Sequence, residues 1–317
     1  MNNIPTIADI RQAAKRIQPY IHRTPVLSSN NINKIVGAEL FFKCENFQKV
    51  GAFKARGATN AVFSLTDEEA SRGVATHSSG NHAAALAMAA RFREIPAYIV
   101  MPRTAPSVKK KAVEGYGAEI TFCEPTVQAR EEGLDAVVEK TGAAFIHPYN
   151  DYRIIAGQAT ASLELLEEVN KPDFVLTPVG GGGLTSGTAL TVKYLSPKTR
   201  MIAVEPEMAD DAYRSFRDGK IYPSVNPRTI ADGLLTSLGE KTYGIIRKYV
   251  DDIVTVSEQS IIDAMRLIWE RMKIIVEPSA SVPLAAVLSG RLNVSGKRVG
   301  IILSGGNVDL DQLPWVK

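Results

Sequence analysis

The segment DFVLTPVGGGGLTSGTALTVKYL, residues 173–195, contains a complete strand–turn–helix unit. Residues 173–179 are largely apolar and predict a buried strand, and a helix is predicted from about Thr185 to Leu195. Between them, the N–H groups of Gly180–Gly183 and the helix dipole favour a dianion. A tight strand–helix turn is the simpler interpretation. Four consecutive glycines are costly in chain entropy, so we favour a phosphate site.

The same alternation runs along the chain and predicts an α/β protein with mainly parallel sheets. Ligands of such sheets bind beyond the carboxyl ends of the strands. The predicted strands cover 73–76, 97–101, 118–123, 173–179, 201–204, 253–256 and 299–303, and the helices between them include 82–93 and 108–116.

The glycine loop is not a standard nucleotide site. No Gly-Lys-Ser/Thr follows it, as a Walker motif would require, and the N-terminal half contains no G-x-G-x-x-G fingerprint. The phosphate therefore belongs to a different kind of molecule.

The composition excludes several classes of protein. The 317 residues include 37 basic and 34 acidic side chains, so the net charge is only +3 and offers no excess for nucleic acid. Hydrophobic residues make up 45% of the chain, which is ample for a core. Cys44 and Cys123 exclude a disulfide scaffold and suit a reducing compartment. Because membrane-length apolar runs and targeting signals are lacking, we expect a cytoplasmic protein that contacts no membrane.

A second stretch, KCENFQKVGAFKARGA at residues 43–58, places Lys54 among small and aromatic neighbours. Most lysines are surface charges, and Lys54 alone is a weak signal. A lysine flanked by Phe53 and glycines is, however, a candidate for desolvation, which lowers its pKa and makes it a nucleophile. Together with a phosphate cradle, it indicates a Schiff base to a phosphorylated aldehyde.

Five motifs resemble fold-type II pyridoxal-phosphate enzymes, the tryptophan synthase β-like class with two open, twisted, mainly parallel sheets flanked by helices. The resemblance is closest to the serine racemase and serine/threonine dehydratase family, including threo-3-hydroxyaspartate dehydratases. It extends from about Arg23 to Asp309, with the motifs in the family's order. They are the Lys54 stretch, Ser78-Ser79-Gly80-Asn81-His82, the tetraglycine loop, Glu277-Pro278-Ser279-Ala280 and Ser304-Gly305-Gly306-Asn307.

The resemblance implies a role for each cofactor-binding residue. Lys54 carries pyridoxal 5'-phosphate and later removes the substrate α-proton, Phe53 packs on the ring, and Asn81 binds the ring 3-hydroxyl. Ser304 faces the pyridine nitrogen, where a neutral hydroxyl does not force protonation and so favours elimination over transamination. The phosphate is implied to bind the backbone of Gly180, Gly181, Gly182, Gly183 and Leu184.

The substrate carboxylate is implied to bind N–H groups at the start of the predicted helix 82–93. Serine N-capping is the structural alternative, and both can hold at once. In the racemase branch, Ser79 is also the acid/base on the face opposite Lys54. Arg130 matches an arginine near the substrate mouth, although an exposed helical arginine is an equal alternative. The implied substrate-binding residues are Ser78, Ser79, Asn81, His82 and Arg130.

A metal site is implied in the segment EPEMADD, residues 205–211. In serine racemase-like proteins the matching positions hold Mg²⁺ or Ca²⁺, and here they are Glu205, the Ala209 carbonyl and Asp211. Such oxygen ligands suit Mg²⁺, Ca²⁺ or Mn²⁺. An acidic helix start is the alternative that the residues alone would favour.

The chain departs from the family's pattern at three positions. Ala52 replaces a serine before Phe53, Tyr152 stands where proline often follows His147-Pro148-Tyr149-Asn150, and Ser281 stands where glycine is frequent. The departures leave the chemistry intact and bear on the choice of substrate.

We expect a discontinuous large domain, residues 1–72 and 151–317, that binds the cofactor, and a small domain, residues 73–150, that closes on the substrate. Only ten residues follow Asn307, so no C-terminal regulatory domain is expected. The resemblance also implies a homodimer.

The implied reaction converts serine, threonine or threo-3-hydroxyaspartate to a 2-oxoacid and ammonia, with serine racemisation as a companion activity. A dedicated serine racemase is one alternative. A β-replacement enzyme of the cysteine-synthase branch would carry a T-S-G-N-T loop, which SSGNH at residues 78–82 is not. A non-catalytic ligand-binding protein that kept the fold is the alternative from another class.

Overall fold

The computed structural model describes residues 3–105 and 107–315, and within these ranges it forms two sheets. The larger sheet has six strands. In spatial order they are β1 (Val26–Leu27), β2 (Glu39–Cys44), β10 (Arg298–Leu303), β7 (Phe174–Pro178), β8 (Arg200–Pro206) and β9 (Asp252–Val256). The smaller sheet has the order β5 (Glu119–Cys123), β4 (Ala97–Pro102), β3 (Val74–His77) and β6 (Ala144–Phe145).

Both sheets are parallel except for the β1–β2 pair. The helices that cover them are α1 (Ile7–Ile17), α2 (Asn30–Val36), α3 (Lys54–Phe63), α4 (Asp67–Ser71), α5 (Asn81–Arg93), α6 (Ser107–Gly115), α7 (Val127–Thr141), α8 (Tyr152–Glu168), α9 (Gly183–Leu195), α10 (Asp211–Asp218), α11 (Glu240–Tyr249), α12 (Glu258–Met272) and α13 (Pro278–Leu288). The predicted α/β class is confirmed, and each predicted strand lies within two residues of an observed one. In the part of the chain that is described, no helix has the length and apolarity needed to span a membrane.

Strand β2 escapes sequence prediction because Lys43 interrupts its apolar run. In the structure Lys43 is fully buried, and its Nζ donates to Glu164 and to the Thr24 carbonyl, each at 2.6 Å. A buried charge is tolerated when it is paired and hydrogen-bonded. The periodicity of β2 is therefore that of a buried strand whose polar member is satisfied by distant residues.

Arg56 is the largest fully buried side chain of the described residues, and it joins three segments. Its Nε and Nη2 donate to the Glu45 carboxylate at 2.7 and 2.8 Å, and its Nη1 and Nη2 each donate to Glu164 at 2.8 Å. Glu164 lies on α8 and Glu45 follows β2. Since Arg56 lies two residues after Lys54, this network anchors the start of α3.

Helices α3, α8 and α9 pack with their backbones in contact. A Cβ on Gly157 of α8 would lie 2.6 Å from the Cα of Gly57 on α3, and a Cβ on Gly187 of α9 would lie 2.6 Å from the Ile155 carbonyl oxygen. Only glycine permits such an approach. This packing sets the spacing between the first turns of α3 and α9, which carry Lys54 and the last of the four glycines.

We expect Gly157→Ala to lower the thermal unfolding midpoint, because the added methyl group forces apart α3 and α8 at a cost of about 1–3 kcal/mol. Gly244→Ala on α11 is the matched control, since a Cβ there meets no atom within 4 Å. Alanine is the better helix former, so this control should keep or raise the midpoint. Equal midpoints for the two variants would contradict the close packing.

Candidate active site

The loop that carries Lys54 is pinned to the loop that follows β10. The Phe53 N–H donates to the Ser304 carbonyl at 3.0 Å, and the Gly306 N–H donates to the Gly51 carbonyl at 2.9 Å. Ser304 itself is only 3% exposed. Two motifs that lie about 250 residues apart in the sequence therefore form one structural unit.

Lys54 begins α3, and its amine is turned inward. Nζ donates to the Pro148 carbonyl at 2.8 Å and lies 5.2 Å from the centroid of the Phe53 ring. Burial lowers the pKa of Lys54 to about 8, against an opposing effect of the Glu277 carboxylate. At neutral pH, much more of this amine is unprotonated than of an ordinary lysine, as a nucleophile requires.

Asn81 is held in one orientation by two neighbours. Its Nδ2 donates to both carboxylate oxygens of Glu277 at 3.2 Å, and its Oδ1 accepts from Asn307 Nδ2 at 2.9 Å. Glu277 is 4% exposed, and burial raises its pKa to about 7. Sequence reasoning assigned no role to Glu277. The sequence feature that could have identified Glu277 is a carboxylate at a helix start within an apolar stretch.

The tetraglycine loop presents backbone amides that lack partners. Gly180–Gly183 are buried, and the N–H groups from Gly180 to Leu184 find no hydrogen-bond acceptor among the described residues. Gly182 has φ +85°, and a Cβ on Gly181 would overlap the Tyr149 ring. Buried N–H groups are rarely left unpaired in proteins, and those at a helix start favour anions. The loop therefore fits a phosphate group.

A second set of amides opens α5. The amides of Ser79, Asn81 and His82 have no acceptor among the described residues, whereas Ser78 N–H donates to the Val100 carbonyl at 3.1 Å. The Ser78 hydroxyl accepts weakly from the Gly80 N–H at 3.4 Å, but Gly80 is itself the N-cap residue of α5 and no side chain among the described residues caps this helix, so the predicted serine N-cap is not formed.

The His82 side chain is turned into the core. It is 2% exposed, its Nε2 lies 3.2 Å from the Ile146 carbonyl oxygen, and burial holds its pKa well below the usual value. Only its backbone N–H is therefore positioned to contribute to an anion site.

Arg130 lies in the first turn of α7 and is half-buried, so it is not the freely exposed arginine of the alternative interpretation. Its Nε is buried and has no hydrogen-bond partner within the described part of the chain. It is close enough to His77 to help burial lower the pKa of that imidazole. The structure shows no direct contact between Arg130 and Lys54 within the described ranges.

Glu205 and Asp211 form a pair of buried carboxylates. Glu205 is fully buried and accepts from Ala212 N–H at 3.0 Å and Tyr213 N–H at 2.7 Å. Asp211 is 1% exposed, and neither of its carboxylate oxygens has a partner among the described residues. Burial and the neighbouring Asp211 carboxylate raise the pKa of Glu205 well above its usual range.

The sequence predicts that the Ala209 carbonyl joins these two carboxylates, and Ala209 is buried. Within the described ranges, no cluster of three or more His, Cys, Asp or Glu side chains is arranged to hold a metal ion. A cation at this site would therefore need backbone and water oxygens as well, as Mg²⁺ and Ca²⁺ commonly have. An orphaned, buried carboxylate fits such a cation.

A desolvated lysine and a buried amide cradle at the carboxyl ends of parallel strands define an α/β enzyme that holds a phosphorylated carbonyl cofactor. The chain belongs to the pyridoxal-phosphate dependent enzyme family, whose model matches residues 17–305. The predicted enzyme class is thereby confirmed.

Three similar proteins match nearly the whole chain. A β-hydroxyaspartate dehydratase of Paracoccus denitrificans (strain Pd 1222) is 55% identical over 312 residues, which are 98% of this chain and 99% of that protein. The crystal structure of serine racemase from Dictyostelium discoideum is similar with a TM-score of 0.93 and 52% identity, covering 96% of this chain and 99% of the other. The crystal structure of a threonine deaminase from T.th. has a TM-score of 0.91 and 46% identity, with coverages of 96% and 99%.

We expect covalent binding of pyridoxal 5'-phosphate to the cofactor-free chain to accelerate with pH around a midpoint near 8, because only a neutral amine attacks the aldehyde. Visible absorbance after mixing, followed between about pH 6 and pH 10, measures this rate. Lys54→Ala is the control and should leave no cofactor that borohydride can trap. A midpoint near the ordinary lysine value of 10.5 would contradict the lowered pKa.

Proposed function

We propose that this chain uses pyridoxal 5'-phosphate to convert a β-hydroxy-α-amino acid to a 2-oxoacid and ammonia. The observation that carries the proposal is the buried Lys54 amine, whose pKa is lowered to about 8, within a site that has two groups of free helix-start amides among the described residues. The names of the relatives, a β-hydroxyaspartate dehydratase and a threonine deaminase, support this class of substrate.

Bound pyridoxal 5'-phosphate supplies an electron sink that acidifies the substrate α-proton. Lys54 would hold the cofactor through its aldehyde, the amides of 180–184 would hold the phosphate, and Asn81 would bind the ring 3-oxygen. Phe53 would pack beside the ring, and the neutral Ser304 hydroxyl would be the partner of its nitrogen. A neutral partner at that nitrogen favours elimination over transamination.

Lys54 also moves the α-proton of the substrate. The lowered pKa of about 8 would let its amine accept that proton near neutral pH. Lys54 would then return this proton to the β-hydroxyl, which would leave as water, and hydrolysis of the released unsaturated amino acid would give the 2-oxoacid and ammonia. The backbone amides of Ser79, Asn81 and His82 would hold the α-carboxylate of the substrate. Ser78 is the first residue of the same substrate-binding loop.

L-threo-3-hydroxyaspartate is the preferred candidate among serine, threonine and this substrate. Its second carboxylate needs a cation, and the half-buried Arg130 has a buried Nε without a partner among the described residues. The 55% identity to a β-hydroxyaspartate dehydratase supports the same choice.

Serine racemisation is the second candidate activity. It needs an acid on the face of the substrate opposite Lys54, and Ser79 at the open end of α5 is the residue proposed for this role. The 52% identity to a serine racemase of Dictyostelium discoideum supports it.

The domain division and the assembly are also part of the proposal. The smaller sheet is built from strands between Val74 and Phe145, which supports residues 73–150 as the unit that closes on the substrate, against residues 1–72 and 151–317. Helix α3 contributes Ala58 and Val62 to the core of the smaller sheet, so it links the two units. We propose a cytoplasmic homodimer.

We expect the holoenzyme to release 2-oxoacid and ammonia from L-threo-3-hydroxyaspartate faster than from L-serine or L-threonine, measured in separate incubations. Lys54→Ala should lose this activity entirely. In the L-serine incubation, Ser79→Ala should reduce D-serine formation more than keto acid formation. If none of the three substrates yields a keto acid, the proposed reaction is wrong, and equal loss of both products would remove Ser79 from its role.

We also propose that Glu205, Asp211 and the Ala209 carbonyl bind Mg²⁺, with Ca²⁺ or Mn²⁺ as substitutes. Mg²⁺ should raise the thermal unfolding midpoint because it neutralises two buried carboxylates, and EDTA should reverse the rise. Asp211→Asn should lose most of this response. Asp210→Asn is the matched control, since Asp210 is 40% exposed and pairs with Arg214. A thermal unfolding midpoint that does not change with Mg²⁺, Ca²⁺ or Mn²⁺ would contradict the proposed metal site.

A further inference from the structure

A turn at residues 147–150 is organised around one imidazole nitrogen. His147 Nδ1 accepts hydrogen bonds from the backbone N–H groups of Tyr149 at 3.2 Å and of Asn150 at 2.9 Å. An Nδ1 that accepts must be unprotonated, so the ring is neutral with its proton on Nε2. Burial lowers the pKa of His147 to about 4, which keeps the ring in this form at neutral pH.

This turn contacts Lys54, the tetraglycine loop and the start of α11. The Pro148 carbonyl accepts from Lys54 Nζ at 2.8 Å. The Tyr149 ring lies so close to the tetraglycine loop that a Cβ on Gly181 would overlap it. The Asn150 side chain accepts from the Lys241 N–H at the start of α11 at 2.9 Å. The geometry of the turn therefore determines whether the Pro148 carbonyl contacts the Lys54 amine.

We infer that His147 is a positioning residue, which closes the turn through Nδ1 and so holds the Pro148 carbonyl against the Lys54 amine. The inference rests on the role proposed above for Lys54. If Nδ1 is removed, two N–H groups lose their acceptor and the turn opens. Water then replaces the carbonyl at Lys54, which hydrates the amine.

Several charged and titratable groups surround these two residues. Besides His147, Lys54 faces the Glu277 carboxylate and the buried His82. His147 faces His77, Lys54, Asp151 and Lys241. Neutral substitutions of a neutral His147 leave all these charges in place. A change in the pKa of Lys54 would then be caused by the altered turn and not by a new charge.

Two variants separate the hydrogen bond from the ring. His147→Asn keeps an acceptor near the position of Nδ1 without the ring, whereas His147→Phe keeps the ring shape without the acceptor. We expect His147→Phe to raise the pKa of Lys54 by about one unit, because hydration removes part of the desolvation that lowers it. At pH 7 that shift reduces the neutral amine, and with it the rate of cofactor capture, about tenfold. His147→Asn should stay within about twofold of the unmodified chain.

The measurement does not require turnover. The full-length, cofactor-free chain is labelled with acetic anhydride over a range of pH, and mass spectrometry follows acetylation of Lys54. The rate of covalent pyridoxal 5'-phosphate binding is measured in parallel. If cofactor binds Lys54 but no amino acid reacts, the proposed function fails while the inference about His147 is still decided.

The matched control is His22→Phe, which makes the same change at a histidine whose ring Nδ1 lies 3.1 Å from the Phe47 carbonyl oxygen and not at the 147–150 turn. It should leave the Lys54 titration unaltered. If His147→Phe does not fold, His147→Leu supplies a second acceptor-free variant. A Lys54 pKa that is unchanged in the acceptor-free variant, or shifted equally in His147→Asn, overturns the inference.

Discussion

The rest of the site depends on the ion pairs of the buried Arg56 guanidinium. It binds Glu45 after β2 and Glu164 on α8 with four hydrogen bonds of 2.7 to 2.8 Å, and Lys43 completes the charge balance at Glu164. Removal of one member of such a buried network costs about 3–5 kcal/mol. Since Arg56 lies one helical half-turn after Lys54, the ion network that stabilises the sheet–helix junction also sets the position of the reactive amine.

In the proposed function, the site would bind anions with backbone amides rather than with a basic surface. A net charge of +3 is therefore compatible with a phosphate cofactor and a carboxylate substrate. Backbone amides carry no counter-charge that would raise or lower the pKa of Lys54, so burial is the largest influence on that amine, with Glu277 opposing it. Burial therefore makes a larger fraction of the Lys54 amine neutral near pH 7 than of an ordinary lysine, beside the amides that would hold the two anions.

The local pattern of apolar residues and glycines was enough to predict most of the fold. The apolar runs and the glycine turns predicted seven strands to within two residues, because five of these strands (β3, β4, β7, β8 and β10) have at most one residue that is not buried. Strand β2 was missed because Lys43 interrupts its apolar run, and β1 and β6 were missed because two residues carry too little pattern. Within the site, Lys54 and the tetraglycine loop stand out in the sequence, and the site roles assigned by resemblance remain predictions.

The sequence alone determined the class of fold, the class of cofactor and the loops that carry the chemistry, since strand periodicity, consecutive glycines and a lysine among small residues are local signals. Only the tertiary structure decided which groups surround Lys54. Pro148 lies 94 residues from Lys54 and Glu277 lies 196 residues from Asn81, so neither contact leaves a trace in local sequence. Burial then changes the proton affinities of Lys54 and Glu277, because the energy of a charge depends on the packing around it.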